Sequence, residues 1–150
     1  KAVLELGSGP GLVGFAAAKL GAKKVVLSDY KRRIMQLVGY NIEQFADQNS
    51  QCTLAHSQLD WYFATDQKYL AETPLLDGKM LPCGESTLDF VTNELDLIIG
   101  SDLLYFEDSV EPLFEMISAF FKLRPATEFY MCMVRRSQEL HNRLDRCLES

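Results

Sequence analysis

No apolar run in the 150-residue sequence approaches the ~20 residues needed to span a bilayer, and no signal-peptide pattern opens it. Cysteine and histidine are scarce. Cys52, Cys83, Cys132 and Cys147 show no C-x-x-C spacing, and the two histidines, His56 and His141, stand far apart, which argues against a metal centre or a disulfide framework. Both histidines read as surface or satisfied groups. Cys52 and Cys132 fall in expected strands and read as core thiols of a reducing compartment, so the expected location is cytoplasmic, with the nucleus as a second. Basic residues are in deficit, 15 against 21 acidic ones for a net charge of −6. That balance argues against a broad electrostatic hold on nucleic acid and suits a basic partner, such as a lysine-bearing protein segment. No internal repeat or low-complexity tract is present. What remains, 47% hydrophobic and 24% charged, is ordinary globular composition with chain enough for one core.

The most informative stretch is Val3-Leu4-Glu5-Leu6-Gly7-Ser8-Gly9-Pro10-Gly11-Leu12-Val13-Gly14. Its apolar start reads as a parallel strand buried on both faces. Three alternating glycines follow, then Leu12, Val13, Phe15, Ala16 and Leu20 at helical spacing, with Gly21 where a helix-ending glycine belongs. The unit offers free N–H groups at a helix N-terminus beside a strand's carboxyl end, the place where open α/β sheets hold nucleotide-like ligands. Gly9 to Gly14 also fits G-x-G-x-x-G, a dinucleotide signal that is weak alone. Glu5 would repel a pyrophosphate and attract an ammonium group. Asp29 ends the second strand, where an acid can accept from ribose hydroxyls. The two acids together favour an amino-acid-bearing nucleoside, S-adenosylmethionine, over a nicotinamide dinucleotide.

Further strands are expected at 23–28, 51–55, 95–99 and 128–134, and helices over Lys31 to Ala46, Asp108 to Phe121 and Gln138 to Leu148. The first of these helices is read with Ile34, Val38, Tyr40 or Asn41, Ile42 and Phe45 inward and Asp47-Gln48-Asn49-Ser50 as a polar break after it. Asp108-Ser109-Val110-Glu111 fits a capping box. The helix after it carries Leu113, Met116, Ile117, Phe120 and Phe121 as a core face, and the last helix turns Leu140, Leu144 and Leu148 inward. Residues 62–94 carry no clear period and read as an insertion or irregular segment, with a helix over Tyr62 to Glu72 as one reading. Alternating strands and helices give an α/β fold with a doubly wound, mostly parallel sheet. Lys1 leads straight into a strand, so residues 1–150 are expected to be one domain cut from a longer chain.

Four stretches occur in order: Leu4 to Gly14, Leu27-Ser28-Asp29-Tyr30, Leu59-Asp60-Trp61, and Asp96-Leu97-Ile98-Ile99-Gly100-Ser101-Asp102-Leu103-Leu104-Tyr105. Together, over roughly Ala2 to Arg136, they resemble the seven-β-strand (class I) protein lysine methyltransferases, the family 16 methyltransferase-like group. The resemblance implies a Rossmann-like methyltransferase domain that takes S-adenosylmethionine and acts on a lysine of a non-histone protein, with neither nucleic acid nor membrane as partner. It also implies two final antiparallel strands, which the sequence lacks.

By that resemblance Asp102 holds the substrate amine and Tyr105 walls the methyl-transfer channel. Glu5 meets the donor's amino group, Gly7, Gly9 and Gly11 admit its methionine and ribose portions, and Asp29 takes the ribose hydroxyls. Trp61 covers an adenine face, and Ser8, Tyr30 and Ser101 complete the set. Leu103-Leu104 lacks the proline pair of the base-modifying amino methyltransferases, which disfavours a nucleic-acid acceptor. Arg135-Arg136 reads as a solvated pair, with contact to the substrate, as the resemblance implies, as the other reading. Two other readings stay open: a non-catalytic cofactor-binding or interaction module of the same fold, and a nicotinamide-dependent oxidoreductase.

Overall fold

The computed structural model describes residues 1–46 and 51–149. The segment Asp47-Gln48-Asn49-Ser50, expected to be a polar break, lies outside the described residues. Five parallel strands form the body of one sheet: β1 (Ala2–Leu6), β2 (Lys24–Asp29), β3 (Thr53–Gln58), β6 (Leu97–Ser101) and β7 (Glu128–Cys132). β3 and β6 begin two residues later than their apolar runs suggested and end further on, their pairing running through Ser57-Gln58 and Gly100-Ser101. With β4 (Pro74–Leu76) and β5 (Pro82–Ser86) at one edge, the strand order is β5-β4-β3-β2-β1-β6-β7. From the central β1 the chain winds outward in one direction through β2 and β3 and in the other through β6 and β7. That reversal opens a crevice past the carboxyl ends of β1 and β6.

The sheet separates two apolar layers. Val3, Val25 and Leu27 point to one face, where they meet Met35, Val38 and Ile42 of α2 (Arg32–Ala46) and Ala18 of α1 (Leu12–Lys19). Leu4, Leu6, Val26 and Ile98 point to the other. There they meet α4 (Thr87–Asn93), α5 (Val110–Leu123) and α6 (Gln138–Glu149) through Phe90, Leu113, Phe120 and Leu140. Alternation across the pleat produces this division. Phe90 and Phe120 are fully buried, each worth about 1.5–3 kcal/mol of apolar burial.

The stretch without a readable period, 62–94, folds as α3 (Gln67–Glu72), β4 (Pro74–Leu76), β5 (Pro82–Ser86) and α4. β4 and β5 make an antiparallel hairpin on the β3 edge, so seven strands are present, but two of them lie where none was expected. Pro82 begins the outermost strand, where a missing N–H costs no ladder bond. A capping box does occur, on α4 instead of α5: Ser86 Oγ accepts from the Asp89 N–H, and the Asp89 carboxylate accepts from the Ser86 N–H, each at 3.1 Å. At α5 no capping box forms: the Ser109 hydroxyl donates to Phe106 O at 2.6 Å, and the Asp108 carboxylate accepts from Arg143 of α6 at 2.9 Å.

Three further expectations are corrected. Leu148 is exposed, because α6 turns Cys147 towards the core after Leu140 and Leu144. Cys132 is exposed, since β7 alternates and places it outward. On α1, Leu12 and Leu20 are exposed while Gly14 and Ala18 are buried, because this helix approaches the sheet too closely for larger side chains.

Candidate functional site

The glycine turn between β1 and α1 is built by positive φ at Gly7, Gly9 and Gly11 (54°, 52° and 95°), a conformation L side chains rarely adopt. At Gly7 a Cβ would also stand 2.8 Å from Leu103 Cδ2 and 3.7 Å from the Trp61 ring, so the bare backbone is what lets these neighbours close in. Three hydrogen bonds fix the turn: Ser8 N–H to Ser28 O (2.8 Å), Gly11 N–H to Ser8 O (2.9 Å) and Asn41 Nδ2 to Pro10 O (2.9 Å).

Glu5 does not reach the crevice. It is 2% exposed beneath the turn and accepts the Gly14 N–H at 2.9 Å, while a Cβ on Gly14 would stand 2.5 Å from its Oε2. The carboxylate therefore supplies the partner for an otherwise open N–H in the first turn of α1. Burial pushes its pKa up to about 7, against the opposing pull of the Gly14 and Val13 N–H groups.

A cavity of about 650 Å³ lies in the crevice, lined by Gly7, Asp29, Tyr30, Trp61, Ser101, Asp102 and Tyr105 among others. Seven of the residues singled out by sequence thus meet on one surface, although they are spread from position 7 to position 105. Ser8, Gly9 and Gly11 shape the turn without lining the cavity. Asp29 ends β2, and its Oδ1 accepts the Lys31 N–H at 3.0 Å, which holds the carboxylate at the cavity edge. Trp61 is half-buried and packs on the core with its ring beside Gly7. Its roles as core plug and as cavity wall coincide. The volume falls within the ~300–1,000 Å³ usual for small-ligand sites. Three carboxylates (Asp29, Asp60 and Asp102), an indole and a bare-backbone cradle are a donor set that fits an amino-acid-bearing nucleoside.

The second half of the site is the loop after β6. Asp102 has φ 55°, held there by its own N–H donating to Cys132 O at 2.7 Å. One carboxylate oxygen, Oδ2, accepts from Arg136 at 2.5 Å and from the Tyr105 hydroxyl at 3.3 Å. The Arg136 guanidinium also lies 4.3 Å from the Tyr105 ring centroid. Oδ1 is buried with no hydrogen-bond partner among the described residues. Arg135 and Arg136 are both exposed, as a solvated pair would be, but Arg136 also engages Asp102, while Arg135 donates to Gln138 at 3.2 Å.

The sequence reading missed Lys31, Ile34, Asp60, Tyr62, Leu103, Phe106 and Ser109 as cavity residues. Tyr62 closes one side, its hydroxyl donating to Asp108 O at 3.1 Å, so the loop after β3 is tied to the loop after β6. Adjacency to Trp61 and Tyr105 was the available signal for Tyr62 and Phe106. For Arg136 the signal was strand order, since β7 lies beside β6 and their exits face one another. A larger groove of about 830 Å³ between α3 and α5 contains none of the residues expected to carry chemistry. His56 is fully buried on β3, with Nε2 bonded to Asp77 O at 3.1 Å. Burial keeps its pKa below the usual histidine value.

The family described as lysine methyltransferase matches residues 1–77 and 76–148. A calmodulin-lysine N-methyltransferase from Arabidopsis thaliana is 28% identical over 141 residues, 93% of this chain and 39% of that protein. The protein N-lysine methyltransferase METTL21A of Mus musculus is 28% identical over 114 residues, 76% of this chain and 41% of its own length. The chain thus spans about two fifths of the curated relatives it matches. Among solved structures, a ribosomal protein L11 methylase from Lactobacillus delbrueckii subsp. bulgaricus superposes with a TM-score of 0.54 at 17% identity, over 99% of this chain and 58% of that one, and shares the fold.

Proposed function

The chain belongs to the lysine methyltransferase family, and we propose from that premise that it transfers a methyl group from S-adenosylmethionine to a lysine side chain of a non-histone protein. The observation that carries this reading is the single cavity on which Gly7, Asp29, Trp61, Asp102 and Tyr105 converge. S-adenosylmethionine, when bound, would supply a methyl activated on a sulfonium, open to in-line attack by an acceptor nitrogen with S-adenosylhomocysteine leaving as the thioether. The protein's part is to hold, orient and exclude water. Asp29 is assigned the ribose hydroxyls, Trp61 a face of the base, and Gly7 with Tyr30 and Ser101 the remainder of the donor's path. Glu5 is assigned a different part from the one its position in the motif suggests: it fixes the start of α1, and so the shape of the turn.

The acceptor lysine must attack as a neutral amine although its ordinary pKa is about 10.4. Asp102, with Oδ1 unpartnered among the described residues, is assigned to receive that amine, and Tyr105 to wall the channel beside it. A protein segment bearing the lysine is the proposed partner, in the cytoplasm and secondarily the nucleus. The test begins with calorimetric titration of S-adenosylmethionine, S-adenosylhomocysteine and NADH into wild type and Asp29→Ala. The expected result is binding of both adenosyl ligands, none of NADH, and at least about tenfold weaker binding in the variant, or 1.4 kcal/mol. Transfer is then followed with radiolabelled donor on unmethylated calmodulin and a lysine-peptide library, where Asp102→Asn should lose about a hundredfold or more. Absence of adenosyl binding by the folded chain would overturn the proposal.

A further inference from the structure

We propose that Arg136 is a positioning residue that keeps the acceptor site charge-balanced, so that the incoming lysine is received as a neutral amine. The inference rests on the reading of Asp102 as the group that meets the amine. Its basis is the constellation at the end of β6: a carboxylate in a left-handed backbone conformation, a guanidinium bonded to its Oδ2, and a phenol that both donates to that oxygen and lies under the guanidinium. An isolated carboxylate here would hold an ammonium ion and resist giving it up, because opposite charges in a partly enclosed site attract by several kcal/mol at ~4 Å. A protonated lysine has no lone pair with which to attack. With Arg136 in place the Asp102–Arg136 pair has no net charge, and a second cation beside it meets the guanidinium's repulsion. The amine sheds its proton to solvent, keeps its lone pair, and donates an N–H to Oδ1, the acceptor left over.

Asp102 is faced by Arg136 from the connection between β7 and α6 and by Tyr105 from its own loop. Across the cavity stand Asp29, Tyr30 and Lys31 from the end of β2, and Asp60 and Tyr62 from the loop after β3. These cross-cavity groups are unchanged by substitution at 136, so a difference between variants isolates the guanidinium. Arg136→Gln removes the charge and Arg136→Lys keeps it. Both are on a partly exposed side chain outside the core, and Arg136→Met stands in if the amide variant melts early.

The experiment titrates n-butylammonium, and 1-butanol as its neutral counterpart, into wild type, R136Q, R136K and the double variant R136Q with Asp102→Asn, observed by NMR. R136Q should bind n-butylammonium at least about tenfold tighter than wild type, R136K should resemble wild type, and 1-butanol should not discriminate. With a methylated lysine peptide in hand, the acid limb of the kcat–pH profile should move up by about one unit in R136Q and stay put in R136K. Equal ammonium affinity in wild type and R136Q overturns the charge-balancing role. If the double variant binds n-butylammonium as tightly as R136Q, it is the assignment of the amine to Asp102 that fails, and the inference goes with it. If the double variant binds more weakly while R136Q gains nothing over wild type, only the role of Arg136 is refuted.

Discussion

Replacing Glu5 with glutamine should make the fold less sensitive to alkaline conditions, and the size of the effect follows from the surroundings of the carboxyl. The group is 2% exposed and accepts the Gly14 N–H at 2.9 Å, with burial raising its pKa to about 7 from an ordinary 4.5. In the unfolded chain it ionises near the lower value. Between the two the folded state binds the extra proton, so stability is full below about pH 4.5 and declines as pH rises through 7. At about 1.4 kcal/mol per unit, the interval corresponds to roughly 3 kcal/mol lost by pH 8. The amide binds no proton in this range yet retains an oxygen to accept from Gly14. Urea unfolding of both proteins at pH 5, 6, 7 and 8 and constant ionic strength measures this directly. Every other titrating group cancels in the difference, which should move by about 3 kcal/mol in favour of the variant from pH 5 to pH 8. Two parallel stability curves would show that Glu5 is ionised throughout, and the argument from burial would fall.

Gly7→Ala should cost about 1–3 kcal/mol of stability and weaken adenosyl binding, since its Cβ would meet Leu103. Gly9→Ala, with similar φ but open space, should cost less, and paired thermal melts will rank them. Lys24 donates to Glu85 and Glu94 while only 13% exposed, so Lys24→Met should cost about 1–3 kcal/mol at pH 7. Its bond to Glu94 holds that carboxyl below the usual range. The contribution is therefore present above pH 4.5 and lost as pH falls through the lowered folded-state value, so the difference between the two proteins in urea melts should shrink as pH is taken below 4.5. Ser86→Ala should remove about 1 kcal/mol through the α4 capping box, read from the urea midpoint at unchanged slope.

The central sheet was legible because β1 and β2 are buried along almost their whole length and β6 carries an equally apolar run, so each reads as a near-continuous hydrophobic stretch. The edge hairpin was not. β4 has three residues and starts with proline, β5 contains Pro82 and Gly84, and neither alternates long enough to show a period. α4 was signalled by Ser86-x-x-Asp89, a box read past because the helix behind it has only seven residues. The same pattern at Asp108 misled, since a carboxylate able to cap a helix can equally meet an arginine from another element. The residues singled out at strand ends line one cavity because strand order decides where those ends converge. Glu5 lies beneath the turn and not along the cavity for a packing reason: α1 sits so near the sheet that the Gly14 N–H meets the carboxylate. Arg136 escaped because its partner lies 34 positions away on the neighbouring strand's exit.

The left-handed backbone at Asp102 bears on how this chain could change over generations. Among the side chains, asparagine and glycine tolerate that conformation about as well as aspartate, while alanine, glutamate and branched residues carry strain there. The exchanges that the fold accepts most easily are thus the very ones that remove the charge. A descendant released from selection for chemistry would be expected to drift first to asparagine or glycine at this position, keeping its shape and its neighbours while falling silent. A duplicated copy used only for binding would carry that mark in a single codon.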